Sequence, residues 1–222
     1  MSRPISNPLA LAVLSCLWQR PMYPYEITST LRERNKEDSI RLNFGSLYAV
    51  IRNLQKHGFI EVERVEKEGN RPERVVYAIT DSGVTEANEW LRDLLKNPVK
   101  EYPAVEAGLS LIAQLPPDEA QELLQRRVEA LDVEIAEKEK ERQLPELRHV
   151  PEFLTIESAF NIEMLRAERR FIFEFERRLA TQAVGGQATW HDMHRMLGEG
   201  HSMAEVEETF SDLFAGDGKE EQ

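Results

Sequence analysis

The first 40 residues carry apolar side chains at helical spacing in two consecutive segments. Asn7 is a suitable N-cap, and the apolar pattern that follows it predicts a first helix over residues 8–19. Ile27 and Leu31 predict the buried side of a second helix over residues 25–34. Both helices are short and amphipathic, which is typical of elements that cover a small shared core.

A third segment has the most regular apolar pattern in the chain. Asn43 is a suitable N-cap and Gly58 a suitable C-terminal cap, so a helix is predicted over residues 44–57. Its apolar residues stand at i, i+3, i+4 and i+7 and form one continuous stripe: Leu47, Val50, Ile51 and Leu54.

After Gly58 the apolar period changes from that of a helix to that of a strand. Residues 59–62 and 75–79 predict two strands, joined as a β-hairpin with a long charged tip. A fourth helix is then predicted from Thr80 or Asp81 to about residue 95. Three helices, a hairpin and a further helix form the element order of a winged helix-turn-helix.

The second half of the chain is predicted to be helical, over residues 104–115, 117–142 and 152–180. The middle helix has an apolar seam that steps by four, three and four, which supports packing against another helix: Leu124, Val128, Leu131 and Ile135. The last helix carries apolar and aromatic residues along one side, among them Phe160, Met164, Phe171 and Phe175.

The fold predicted from these patterns is mainly α, with three functional parts. Residues 1–97 are predicted to form a winged helix-turn-helix that binds DNA, and residues 98–184 a helical dimerisation or effector domain. Gly185 and Gly186 open the third part, residues 185–222, which we expect to be an acidic and partly disordered tail.

The net charge of −12 lies entirely in the second half of the chain. Residues 1–95 contain 13 basic and 13 acidic side chains, whereas residues 96–222 contain 15 and 27. Residues 39–60 contain no acidic residue at all. Because DNA responds to the local potential within about 10 Å, an acidic second half does not exclude a DNA-binding face in the first.

Several other classes of protein are not indicated. No secretory signal or apolar membrane span is visible, and Cys16 is the only cysteine, so a cytoplasmic protein is expected. His191 and His194 could share a helix face, but this short pattern is a weak signal for metal and we predict none. No phosphate-binding loop or catalytic motif occurs, so we predict neither an enzyme nor a cofactor.

The side of the third helix opposite its apolar stripe carries small residues and hydrogen-bond donors, which suit contact with bases and phosphates. A polar helix face is also the ordinary surface of a solvated helix, and the acid-free stretch and the following hairpin favour DNA. The candidates from this helix are Ser46, Tyr48, Arg52 and Lys56. Those from the hairpin are Lys67, Arg71 and Arg74.

Three blocks of the first half resemble the PadR family of transcriptional regulators. They are Tyr23-Pro24-Tyr25-Glu26-Ile27, Asn43-Phe44-Gly45-Ser46-Leu47-Tyr48 with Leu54 and Gly58-Phe59-Ile60, and Tyr77-Ala78-Ile79-Thr80-Asp81-Ser82-Gly83. The resemblance spans residues 8–95, and it departs from the family pattern at Pro24 and Phe44, which could alter operator preference. It adds three residues to the DNA-binding candidates: Tyr25, Asn43 and Gly45.

The resemblance implies a homodimer on a near-palindromic operator of double-stranded DNA, acting as a repressor, with the dimer interface in the C-terminal helices. We therefore assign the dimer contacts to the two apolar stripes of that half: Leu124, Val128, Leu131, Ile135, Phe160, Met164, Phe171 and Phe175. The aromatic residues also permit a pocket for a small aromatic or lipophilic effector. An activator of the same fold, or a protein-interaction module that does not bind DNA, stays open as an alternative.

Overall fold

The chain forms two compact units, Met1–Glu101 and Tyr102–Gln222. No helix among the residues described is long and apolar enough to cross a lipid bilayer. The division of functions among residues 1–97, 98–184 and 185–222 stays a prediction. The computed structural model describes residues 5–37, 39–40, 44–67, 73–147 and 149–211, and it does not describe the side chains of Phe44 and Glu146.

The first unit contains the predicted helices with boundaries close to those expected from the sequence. Asn7 caps the first helix, because its side-chain oxygen accepts a hydrogen bond from the backbone amide of Leu9 at 3.0 Å. Asn43, the predicted cap of the third helix, lies outside the described residues. The helices are α1 (Pro8–Gln19), α2 (Pro24–Glu33), α3 (Phe44–Lys56) and α4 (Asp81–Lys96).

The core of the first unit is built from one face of each helix. Ile27 and Leu31 of α2 are buried as predicted. The predicted stripe of α3 is also buried, with exposed fractions of 4%, 7%, 1% and 0% for Leu47, Val50, Ile51 and Leu54. These apolar side chains are buried within the unit, so only the opposite face of α3 is available for contact with a ligand.

The hairpin is an antiparallel pair of strands, β1 (Ile60–Glu66) and β2 (Arg74–Ile79). A bulge between Val62 and Arg64 interrupts their pairing. Met22, just before α2, exchanges two backbone hydrogen bonds of 3.0 Å with Tyr77 of β2. The hairpin is therefore attached to the helices by backbone pairing as well as by its own chain connections, and the arrangement is that of a winged helix-turn-helix.

Gly58 ends α3 in the left-handed conformation, with a φ of 73° that glycine adopts without strain. Its carbonyl oxygen accepts hydrogen bonds from the hydroxyls of Thr80, at 2.6 Å, and Ser82, at 2.9 Å. Thr80 also caps α4, since its hydroxyl oxygen accepts from the amide of Gly83 at 3.1 Å. The end of α3 and the start of α4 are thus held in one hydrogen-bonded junction.

The second unit is helical, and its elements differ from the prediction at their ends. The predicted helix over residues 104–115 ends at Ser110 and continues as a 3₁₀ turn at Ile112–Gln114. The predicted helix over residues 152–180 begins only at Ile156, after a 3₁₀ turn at Glu152–Leu154. The helices described are α5 (Ala104–Ser110), α6 (Pro117–Arg142), α7 (Ile156–Ala180), α8 (Gln187–Gly198) and α9 (Met203–Thr209).

The apolar seam of α6 packs against α7 of the same chain. Leu124, Val128 and Leu131 have exposed fractions of only 6–8%, and Ile135 is half-buried. The assignment of this seam to the dimer interface is therefore corrected: these side chains form the core of the unit. An apolar stripe in a sequence shows that a face is covered, but not whether the covering helix belongs to the same chain.

Polar contacts cross between α6 and α7 along their whole length. Arg127 donates to Glu168 at 2.6 Å, and Arg169 forms a two-pronged pair with Asp132 at 2.9 and 3.0 Å. Further along, Gln121 donates to Glu176 at 3.2 Å, and Arg166 pairs with Glu139. We call these four contacts the α6–α7 ladder; they show that the two helices are antiparallel.

The segment after Gly185, expected to be an acidic and partly disordered tail, contains two helices: residues 187–209 form α8 and α9 with a short connection. Trp190 of α8 donates its indole N–H to the carbonyl of Leu115 at 2.9 Å. His194 contacts the carbonyl of Ala113 at 2.9 Å, and His191 lies 4.0 Å from Asp118. These contacts hold α8 against the start of the unit.

Candidate nucleic-acid interface

Most described residues on the outward face of α3 are exposed. Tyr48 is 58% exposed, Arg52 and Lys56 are also exposed, and Ser46 is half-buried. Gly45 lies exposed in the first turn of the helix. The predicted face is therefore one surface of a single helix, with a small residue at its N-terminal end and cations towards its C-terminal end.

The cations of α3 are electrostatically available. Among the described residues, no carboxylate forms an ion pair with Arg52 or Lys56, and no acidic residue occurs between residues 39 and 60. Phosphate contact by an unpaired cation does not require an internal ion pair to be broken first. This surface therefore suits an anionic partner.

The hairpin, which we call the wing, differs from α3 because its cations face acidic neighbours. Lys67 lies 3.7 Å from Glu73, and Arg74 is paired in the strand register with Glu66. Arg71 lies outside the described residues. Exposed ion pairs of this kind are weak, so Lys67 and Arg74 remain available to an anionic partner, although each has an acidic neighbour.

Tyr23 connects the start of α2 to the wing, and the sequence did not indicate this connection. The hydroxyl of Tyr23 donates to the carboxylate of Glu66, which also accepts from the guanidinium of Arg64 at 2.7 Å. These bonds lower the pKa of Glu66, and the bond to the carboxylate raises the pKa of Tyr23. Tyr25, the predicted contact residue, is 57% exposed and its ring stacks on that of Tyr23 at 5.4 Å.

We expect Tyr23→Phe to loosen the wing, because the variant removes the largest cause of the lowered pKa of Glu66. A carboxyl whose pKa is lowered by folding contributes stability above its ordinary pKa, and this contribution disappears as the pH falls through the folded-state value. The variant should therefore unfold at a lower temperature than the wild type at pH 7, and the two should converge in acid. Thermal unfolding followed by circular dichroism across pH 2–7 measures this difference.

Tyr25→Phe is the matched control for this prediction, since it removes a neighbouring hydroxyl and keeps the bond between Tyr23 and Glu66. Its unfolding temperature should follow that of the wild type at every pH. A Tyr23→Phe variant with the same difference from the wild type at pH 7 and in acid would contradict the assigned bond.

The C-terminal unit carries a second surface of interest, on the side of α7 that faces away from α6. Ile162, Ile172 and Leu179 occupy the packed side and are almost fully buried. The opposite side has large apolar residues in the open: Ile156, Phe160, Met164 and Phe171 are 54%, 67%, 55% and 61% exposed. We call these four residues the α7 stripe. Phe175, which continues the row, is half-buried because it packs on the core of the unit.

Comparison with known families matches residues 13–89 to the transcriptional regulator PadR-like family. The matched segment starts within α1 and ends within α4, so it covers the helices, the wing and the junction described above. No curated protein matches the chain with statistical significance.

Solved structures share the fold over most of this chain at low sequence identity. Bacillus subtilis PadR in complex with operator DNA is 20% identical, with a TM-score of 0.62 over 78% of this chain and 99% of that chain. The same protein in complex with p-coumaric acid is 18% identical, with a TM-score of 0.62 over 78% and 98%. The PadR-like transcriptional regulator BC1756 from Bacillus cereus is 18% identical, with a TM-score of 0.53 over 81% and 99%.

Proposed function

From the premise that residues 13–89 form a PadR-like transcriptional regulator domain, we propose that the chain is a sequence-specific, DNA-binding repressor. The observation that carries the proposal is the exposed face of α3, where Arg52 and Lys56 have no acidic partner among the described residues. A similar fold occurs in Bacillus subtilis PadR, which was solved with operator DNA. An acidic second unit in the same chain would limit non-specific binding to other nucleic acids.

In this proposal α3 enters the major groove and the wing follows the flanking backbone. Gly45 and Ser46 allow close approach of the first turn, whose backbone amides can donate to a phosphate. Tyr48 donates through its hydroxyl, while Arg52 and Lys56 contact phosphates or the edge of guanine. The remaining assigned contacts come from α2, the α3 cap and the wing: Tyr25, Asn43, Lys67, Arg71 and Arg74.

The experiment that tests the proposal is selection of bound fragments from genomic DNA, followed by gel shift on the recovered site. We expect Arg52→Ala with Lys56→Ala to weaken binding about 100-fold, since two contacts to phosphate or base edges are together worth about 3 kcal/mol. The dependence of affinity on salt should also become shallower in the double variant, because fewer counterions are released from the DNA.

The chain offers a matched control for the double variant. Arg92 and Lys96 of α4 are the same residue types at the same spacing of four, and both are exposed. Arg92→Ala with Lys96→Ala removes an equal charge from the same unit and should change affinity less than threefold. Equal binding by the two double variants would refute the assignment of the α3 face. A reporter in a deletion strain gives the direction of regulation, and expression should rise for a repressor.

We further propose that the chain acts as a homodimer, with the α7 stripe at the interface and one α3 helix for each half of a near-palindromic operator. A row of exposed apolar residues on one helix face is typical of an interface, because monomeric proteins rarely leave so large a patch in water. We expect the repressor to be released by a small aromatic or lipophilic effector, since a protein of similar fold was solved with p-coumaric acid.

A further inference from the structure

The exposed side of α3 has two edges, which Ser46 and Tyr48 occupy. At about 100° of rotation per residue, these two side chains project to opposite sides of the helix, and each lies away from the buried stripe. The described residues between the two edges are exposed: Gly45, Ala49, Arg52, Asn53 and Lys56. Gln55 lies just beyond Tyr48, on the side nearer the buried stripe, and so outside this surface.

Among the described residues of this surface, only Asn53 has a side chain that offers a donor and an acceptor on separate atoms. The two cations only donate, the hydroxyls at the edges offer a single oxygen each, and the two small residues offer no polar side-chain group. An amide matches the major-groove edge of adenine, which presents an acceptor at N7 and a donor at N6. Asn53 therefore has the chemistry to distinguish one base from the other three.

The side chain of Asn53 is available for such a contact. It is exposed, and its amide forms no hydrogen bond with any residue that the structure describes. The backbone that carries it is held by two bonds, because the carbonyl oxygen of Asn53 accepts from the amide of His57 at 3.1 Å and from Nδ1 of its ring at 2.8 Å. Ala49, one turn earlier on the same side, carries only a methyl group and does not obstruct the approach to Asn53.

We propose that Asn53 determines base specificity by recognising an adenine in the bound DNA. The amide oxygen accepts from the N6 amino group of the base, and the amide nitrogen donates to N7. Phosphate contacts by Arg52 and Lys56 add affinity for any sequence, whereas this paired contact adds preference for one base. The inference rests on the proposed function, since it requires α3 to lie in the major groove.

The test uses the full-length protein and a site recovered by selection from random-sequence DNA. Each adenine of the site is replaced in turn by 7-deaza-adenine, which lacks the N7 acceptor but keeps the base pair. At one adenine the replacement should weaken binding of the wild type about tenfold, the value of a good paired contact to a base edge. Asn53→Ala should bind the replaced and the natural DNA equally. Because each variant is compared with itself on two DNAs, any loss of its stability cancels.

Asn88→Ala is the matched control, since Asn88 is an exposed asparagine in the middle of α4 in the same unit. This variant should keep the tenfold difference between the two DNAs. A repeat of the selection with Asn53→Ala should lose the adenine preference at one position only. If Asn53→Ala selects the same bases as the wild type, or keeps the tenfold difference, this inference is overturned and the proposed function stands. If the wild type enriches no sequence at all, both are overturned.

Discussion

Gly83→Ala should destabilise the N-terminal unit by about 3 kcal/mol, the upper end of the cost of overpacking a core. A Cβ atom at this position would lie 2.0 Å from the carbonyl oxygen of Phe59 and 2.8 Å from Cγ1 of Ile79. The oxygen cannot move away freely, because it accepts a backbone hydrogen bond from Thr80 at 3.1 Å. The clash outweighs the gain of up to about 1 kcal/mol that alanine normally brings to a helix.

The control for this prediction is Gly108→Ala. Gly108 also lies in a helix, but a Cβ atom there would meet nothing within 4 Å, so the variant should be neutral or slightly stabilised. The indole N–H signals of Trp90 and Trp190 report on the two units separately in urea titrations followed by NMR. We expect Gly83→Ala to shift the transition of Trp90 more than that of Trp190. Unchanged stability of both units would show that the junction can relax around the new methyl group.

Phe160→Asp with Phe171→Asp should convert the proposed dimer into a monomer. Each phenylalanine contributes about 2 kcal/mol when it is transferred from water into an interface. Each aspartate would in addition be costly to bury without a partner. The dissociation constant should rise by more than 100-fold, while the folded monomer should be little affected because both rings are exposed in the single chain. Sedimentation equilibrium measures the change.

Val133→Asp is the control for the charge change. Val133 is an apolar residue of α6 that is 60% exposed and lies outside the α7 stripe. This variant should retain the association constant of the wild type. If the wild type sediments as a monomer throughout the micromolar range, or if the double variant still dimerises as the wild type does, the stripe is not the interface. DNA binding by α3 can be measured independently of the oligomeric state.

The features that were predictable from the sequence depend on residues close together in the chain. The stripe of Leu47 to Leu54 follows from the helical period, and the caps at Asn7 and Gly58 follow from local backbone geometry. The element order then defines a winged helix-turn-helix, because few arrangements place a hairpin directly after a capped helix. The exposed face of α3 was predictable for the same reason, because it is the side of the helix opposite the buried stripe.

The features that were not predictable depend on contacts between distant residues. Tyr23 and Glu66 are 43 positions apart, and Trp190 and Leu115 are 75 apart, so no local pattern indicates either pair. Because the contact of Trp190 with Leu115 was not visible in the sequence, α8 was taken for part of a tail. The seam of α6 was correctly identified as buried, but only the structure shows that α7 covers it.

The α6–α7 ladder has a consequence for how this unit folds. Apolar residues recur about every seven positions on both helices, so the seam alone would tolerate α7 sliding along α6 by two turns. Sliding by seven residues in one direction would set Asp132 against Glu176 instead of Arg169, and sliding in the other direction would set it against Ile162. Each contact of the α6–α7 ladder contributes little to the free energy of unfolding, because it lies at the surface. Together these contacts favour one alignment of α7 along α6. The surface charges that add little stability to this helix pair therefore determine its register.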